Sequence, residues 1–119
     1  MAMALRIYGD VVQMCADLKV VVARIERAEK DLARQLRRAA CSVVLHLAEG
    51  AHSDAGHACE RFRTARGSAA EGRACLDAAV AFGLAGPLAD AERARLDTVV
   101  AVLTKLARTR TIWCSRALG

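Results

Sequence analysis

Apolar residues return every three or four positions in four separate stretches of the chain, the spacing of helices that each bury one face. In the first stretch Leu5, Tyr8, Val12, Cys15, Leu18, Val22 and Ile25 mark the stripe, and in the second Leu32, Leu36, Ala39, Ala40, Val43 and Leu47 do so. The third carries Ala58, Phe62, Ala65, Ala69, Gly72, Leu76 and Ala79 at alternating steps of four and three. That is a heptad seam of small residues, which lets a neighbouring backbone come close. The fourth runs from Asp90 through Leu96, Val99, Val100, Leu103, Leu106 and Trp113.

The stretch ERAEKD between the first two helices holds neither Gly nor Pro, and the break is expected near Arg27 to Lys30. Gly50 is expected to stop the second helix. GAHSDAGHA reads as a loop in which Ser53 or Asp54 caps the third helix. GLAGPLAD ends that helix, with Gly83 and Gly86 as stops and Pro87 opening the next turn. At ~1.5 Å per residue such helices are ~30 to 40 Å long, matched for side-by-side packing. The expected fold is all-α, an antiparallel up-down-up-down four-helix bundle forming one domain over residues 1–119.

Composition supports the helical reading. Hydrophobic residues make up 55% of the chain and aromatics 3%, so the apolar mass is Ala, Val and Leu rather than the β-branched and aromatic mixture of strand cores. A formal charge of +5, from 18 Lys and Arg against 13 Asp and Glu, biases the chain toward anionic partners. MAMALRIYGD lacks the apolar core of a secretion signal, and no apolar run approaches the ~20 residues of a membrane span. A cytoplasmic protein with no membrane contact is expected. The five cysteines, Cys15, Cys41, Cys59, Cys75 and Cys114, form no C-x-x-C pair and read as small buried hydrophobes in a reducing compartment.

Little in the sequence points to catalysis. His52, Asp54, His57 and Cys59 crowd one loop, but their H-x4-H-x-C spacing matches no common zinc pattern. Ser68 has no histidine at helical spacing to activate it, and ARGSAAEG lies within a helical period instead of following a strand as a phosphate loop would. Tyr8 and Trp113 read as core or interface aromatics. No catalytic residue, metal or cofactor is expected.

QLRRAACSVVLHLAEG, followed by RFRTARGSAAEGRACLDAAVAFGL, resembles the four-helix-bundle proteins first known from intervening sequences in bacterial 23S ribosomal RNA genes. The resemblance rests on R-R-A-A at Arg37 to Ala40, A-E-G at Ala48 to Gly50, A-R-G-S at Ala65 to Ser68 with Glu71, and Gly83. It implies a homo-oligomer, with pentameric rings known for the fold, and kinship with a bundle that serves as accessory protein to the reverse transcriptase of diversity-generating retroelements. No enzymatic activity is established for the plain members. Two positions depart from the family's pattern: His46 stands where Asn is common, and Gly72 where a large apolar residue is, which loosens the seam of the third helix.

On the second helix Arg37 lies about 100° and Arg38 about 200° from Leu36, both off the core stripe, with Lys30 and Arg34 on the side of Arg38. Glu49 sits at the C-terminal end, where the helix dipole prefers a cation, so a compensating partner is expected. The candidate is Arg66. Glu49, Arg66, Ser68 and Glu71 are expected to form a polar network holding the bundle or its subunit contacts. Lys30, Arg34, Arg37 and Arg38, together with Lys105, Arg108, Arg110 and Arg116 of the fourth helix, are candidates for contact with RNA or DNA phosphates. Val20, Val21, Val44, Leu45, Val102 and Ile112 fall outside the stripes and call for burial in an assembly.

The expected function is a non-catalytic oligomeric scaffold that binds nucleic acid, or a nucleic-acid-handling protein such as a reverse transcriptase. The alternative is a protein–protein module without nucleic-acid binding. A continuous basic belt on the surface supports the first, and a mixed surface the second.

Overall fold

A computed structural model describes the backbone of residues 2–118 and the side chains of residues 2–54 and 56–108. The expectations for Arg110, Ile112, Trp113, Cys114 and Arg116 lie outside the described side chains. The described residues form four helices and no strand: α1 (Ala2–Ala28), α2 (Lys30–Ala51), α3 (Ala55–Ala81) and α4 (Asp90–Leu118). Each packs on the next, and α1 packs on α4 to close the ring, in a body of 49 × 24 × 19 Å.

The connections follow local chemistry. Glu29 alone interrupts the helical backbone between α1 and α2, with φ −147° and ψ 95°, and its carboxylate accepts from the Asp31 amide at 3.2 Å. Asp54 caps α3 by accepting from the His57 amide at 3.0 Å. After α3, Gly83 adopts φ +71°, a conformation that side chains disfavour, and the amides of Gly83 and Leu84 reach back to the Val80 and Ala79 carbonyls. The last helix begins at Asp90, where the sequence places it, and Glu92 caps it by accepting from the Ala89 amide at 3.2 Å.

Gly50 has a different role from the one expected. The helix continues to Ala51, and Gly50 lies buried against the ring of Phe62, so close that a Cβ would stand 2.6 Å from a ring carbon. The missing side chain makes room for the largest fully buried residue of the core.

Among the described residues no polar or charged residue is buried, so the core is built wholly of apolar groups from all four helices. The third-helix stripe is buried throughout except at half-buried Gly72. That seam is not loose: Leu36 and Ala39 close over Gly72, and the void there is about 10 Å³. On α1 the stripe is displaced by one residue at its start. Ala4, Ile7 and Val11 are buried, whereas Leu5, Tyr8 and Val12 are 58%, 41% and 45% exposed. Two apolar stripes about 100° apart run side by side there, and periodicity alone does not choose between them.

The apolar surplus divides. Val21 is core, Val44 and Val102 pack partly buried against it, and Val20 and Leu45 stand exposed. The cysteines divide as well: Cys75 and disulfide-bonded Cys59 are buried, Cys15 is half-buried, and Cys41 is exposed.

Candidate functional site

The basic residues of α2 face in different directions. Arg34 pairs with Asp31 one turn earlier at 2.6 Å, and Arg37 reaches across to Glu26 of α1 at 2.8 Å. Lys30 stands exposed at the first turn. Arg38 lines a polar cleft on the opposite flank, between α2 and α3. Lys105 and Arg108 are exposed on α4, which packs on α1 and α3 and lies across the bundle from α2. Cross-helix pairs fix the register, Ser42 with Ser68 and Arg73 with Asp97. Within one copy the six candidates form no single face.

The surface is mixed in charge. Besides Arg34 and Arg37, Arg61 pairs with Glu49, Arg73 with Asp97, Arg93 with Asp97 and Asp77, and Arg95 with Asp17. The compensating partner of Glu49 is therefore Arg61, at 3.1 Å, and not Arg66. Arg66, also on α3, is exposed and makes no ion pair with Glu49.

The cleft between α2 and α3 has a volume of about 390 Å³ and is lined by Gln35, Arg38, Ser42, Ser68 and Glu71. Ser68 and Ser42 share a hydrogen bond of 2.7 Å, and His46 Nδ1 lies 3.1 Å from the Ser42 hydroxyl and 2.9 Å from the Ser42 carbonyl. A carbonyl oxygen only accepts, so Nδ1 carries the proton and donates it there. In that tautomer the nitrogen donates and does not accept the Ser42 proton. Ser42 and His46 were absent from the sequence candidates. Their spacing of four on one helix was the available signal.

His57 donates to Asp54 at the start of α3, which, after the backbone amide of His57, is the second cause holding the Asp54 carboxyl below its ordinary value. His52, Asp54, His57 and Cys59 do not converge, and among the described residues no group of three or more His, Cys, Asp or Glu is placed to hold a metal. No helix there is long and apolar enough to cross a membrane.

A groove of about 750 Å³ opens between α1 and α2. Leu18, Val22 and Ala40 lie in it with the thiols of Cys15 and Cys41. Burial, and secondarily the neighbouring Cys41, push the Cys15 thiol up from its usual value. Exposed Leu5, Tyr8 and Val12 follow on α1 toward its N-terminus, and Leu45 follows on α2.

The family model of the 23S rRNA-intervening sequence proteins matches residues 4–105. The chain belongs to that family. No curated protein and no solved structure matches the chain.

Arg37 turns to α1 and Gly83 ends α3, while several of the residues that resembled the intervening-sequence proteins lie where α2 meets α3. Ala39 and Ala65 are buried there, Gly50 admits Phe62, and Ser68 joins Ser42. Arg38 and Glu71 flank the cleft from opposite helices. Of the expected polar network, Ser68 and Glu71 come together, while Glu49 and Arg66 stand apart along the same interface.

Proposed function

We propose that this intervening-sequence protein is a non-catalytic cytoplasmic scaffold, an up-down-up-down bundle that assembles into a ring-like homo-oligomer, a pentamer, and works through protein–protein contact. The supporting observation is the exposed apolar seam of Leu5, Tyr8, Val12 and Leu45, which water penalises and a neighbouring copy would cover. The order of the cross-helix pairs favours the antiparallel arrangement: Ser42 with Ser68 and Glu49 with Arg61 between α2 and α3, and Arg73 with Asp97 and Asp77 with Arg93 between α3 and α4, so that one helix descends as its neighbour rises. Light scattering on the full chain should report a particle several times the mass of one copy. Val12→Glu with Leu45→Glu should reduce it to monomers of unchanged helicity. A wild-type monomer at micromolar concentration refutes the assembly.

A second reading, phosphate contact with RNA or DNA, draws on the net charge and on Lys30, Arg38, Lys105 and Arg108, which form no ion pair among the described residues. A ring would repeat these cations around its circumference and so supply a continuity that one copy lacks. A nucleic-acid-handling protein such as a reverse transcriptase is the corresponding partner. Replacing Lys30 and Arg38 by Ala should weaken binding equally across sequences and flatten the slope of log affinity against log salt by about 0.7 to 0.9 per lost contact. Absence of binding at low salt removes this reading.

A further inference from the structure

We propose that the α1/α2 groove receives an amphipathic helix from a different protein, apolar along one face and bordered by aspartate and glutamate. The inference rests on the scaffold reading and names the class of partner. Its first support is shape. Along α1 the groove runs from Cys15 to Arg27, which at 1.5 Å per residue is roughly 18 Å, a little over three helical turns. Its floor of Leu18, Val22, Ala23 and Ala40 offers small and aliphatic surface of the kind that takes leucines spaced three and four apart.

The second support is charge. Lys19, Arg27, Lys30 and Arg37 border the groove against a single carboxylate, Glu26, and Glu26 is already paired with Arg37. Complementarity therefore asks for acids on the occupant. A nucleic acid would meet the cations but leave the apolar floor against phosphate and sugar. A second copy would offer its exposed stripe of Leu5, Tyr8 and Val12, which has Arg6 beside it and brings no row of acids to the cationic rim. An acidic amphipathic helix satisfies both floor and rim.

Two fluorescent four-turn peptides test this with the full chain, both with leucine along one face, one carrying glutamate and the other lysine elsewhere. The glutamate peptide should bind by anisotropy, weaken as salt rises, and protect Cys41 from alkylation. Lys19→Glu with Lys30→Glu should lower its affinity by about tenfold or more, since two attractive charges become repulsive. Both lysines are exposed, and glutamate at the first residue of α2 suits the helix dipole, so circular dichroism should show an intact fold. Equal binding of the lysine peptide, an unchanged affinity in the variant, or no protection of Cys41 overturns the proposal. So does displacement of the peptide by an RNA oligonucleotide whose own binding is lost in the same variant. Ala23→Glu places a charge on the floor; if it lowers the particle mass while wild type binds no peptide, the groove belongs to a second copy and the proposal falls. Assembly without peptide binding overturns the groove alone. Peptide binding by a monomer leaves the groove standing and removes the ring.

Discussion

Substituting alanine at Gly50 and at Gly72 should move stability in opposite directions. Both glycines lie within helices, where alanine is intrinsically favoured by about 0.8 to 1 kcal/mol. At Gly72 the new Cβ would stand 3.7 Å from Leu36 Cδ1 and 3.8 Å from Ala39 Cβ, ordinary van der Waals contact beside a small void. The propensity gain survives, and Gly72→Ala should stabilise by about 1 kcal/mol. At Gly50 the Cβ would stand 2.6, 2.9 and 3.1 Å from three ring carbons of Phe62, which is fully buried and has nowhere to go. Overpacking of that kind costs ~1 to 3 kcal/mol, and with a contact as short as 2.6 Å the upper half of that range applies, which outweighs the propensity gain and leaves Gly50→Ala less stable by about 1 to 2 kcal/mol. The midpoints of the two variants should therefore differ by ~10 °C in a chain of this size. Thermal unfolding followed by circular dichroism at one fixed protein concentration reads this directly, the concentration being held because assembly shifts the midpoint. A Gly50→Ala protein as stable as wild type would show that the Phe62 ring is free to yield, and the close-approach account of Gly50 would fail.

Asp54 has a folded pKa below its unfolded value, so its cap contributes stability above the ordinary carboxylate range, about 3.9, and loses it as pH falls through the lowered folded value. The melting deficit of Asp54→Ala at neutral pH should vanish in that acid window. A deficit independent of pH refutes the charge-assisted cap. Iodoacetamide should modify exposed Cys41 before half-buried Cys15, whose thiol is pushed up, and before buried Cys75, as peptide mapping over time would show; Cys15 reacting first refutes this. Coupling in a double-mutant cycle between Glu49 and Arg61 should be about 1 kcal/mol or less, since both are about half exposed, and none should appear between Glu49 and Arg66.

The helices were legible in the sequence because each buries one face against a wholly apolar core, which leaves the 3.6-residue period undisturbed on α2, α3 and α4. On α1 the period was present but its phase was ambiguous, since Leu5, Tyr8 and Val12 form a second stripe beside Ala4, Ile7 and Val11. The stops were read from residue type, which worked at Gly83, where the backbone needs a positive φ, and failed at Gly50, where glycine serves a ring 12 positions away. Cross-helix partners were the least legible. That Glu49 needs a cation follows from its place at a helix end; that the cation is Arg61 depends on the α2/α3 register, which residue spacing along one helix does not contain. Arg37 and Arg38 show the same limit. Adjacent in sequence, they turn to opposite flanks of α2, one to Glu26 and the other to the cleft of Ser42 and Ser68.

Among the described residues the core is apolar, chiefly Ala, Val and Leu, and such a core is close to indifferent to which helix stands beside which, so neighbour choice falls to the flanks. Each of the four contacts carries a polar tie there: Glu26 with Arg37 for α1/α2, Glu49 with Arg61 for α2/α3, Arg73 with Asp97 for α3/α4, and Asp17 with Arg95 for α1/α4. The last closes the ring and is the most sheltered, with side-chain exposures of 10% for Asp17 and 31% for Arg95. Its loss should therefore cost more than that of an exposed pair and less than that of a dry one, ~1 to 3 kcal/mol for Asp17→Ala. Reversing one charge, as in Arg95→Asp, should set two carboxylates against each other and lower stability further, and Asp17→Arg with Arg95→Asp together should recover part of the loss. Urea titration of the four proteins measures the coupling. A value under about 0.5 kcal/mol, the scatter expected of independent sites, would mean that the Asp17–Arg95 contact does not select the α1/α4 pairing and that shape alone closes the bundle.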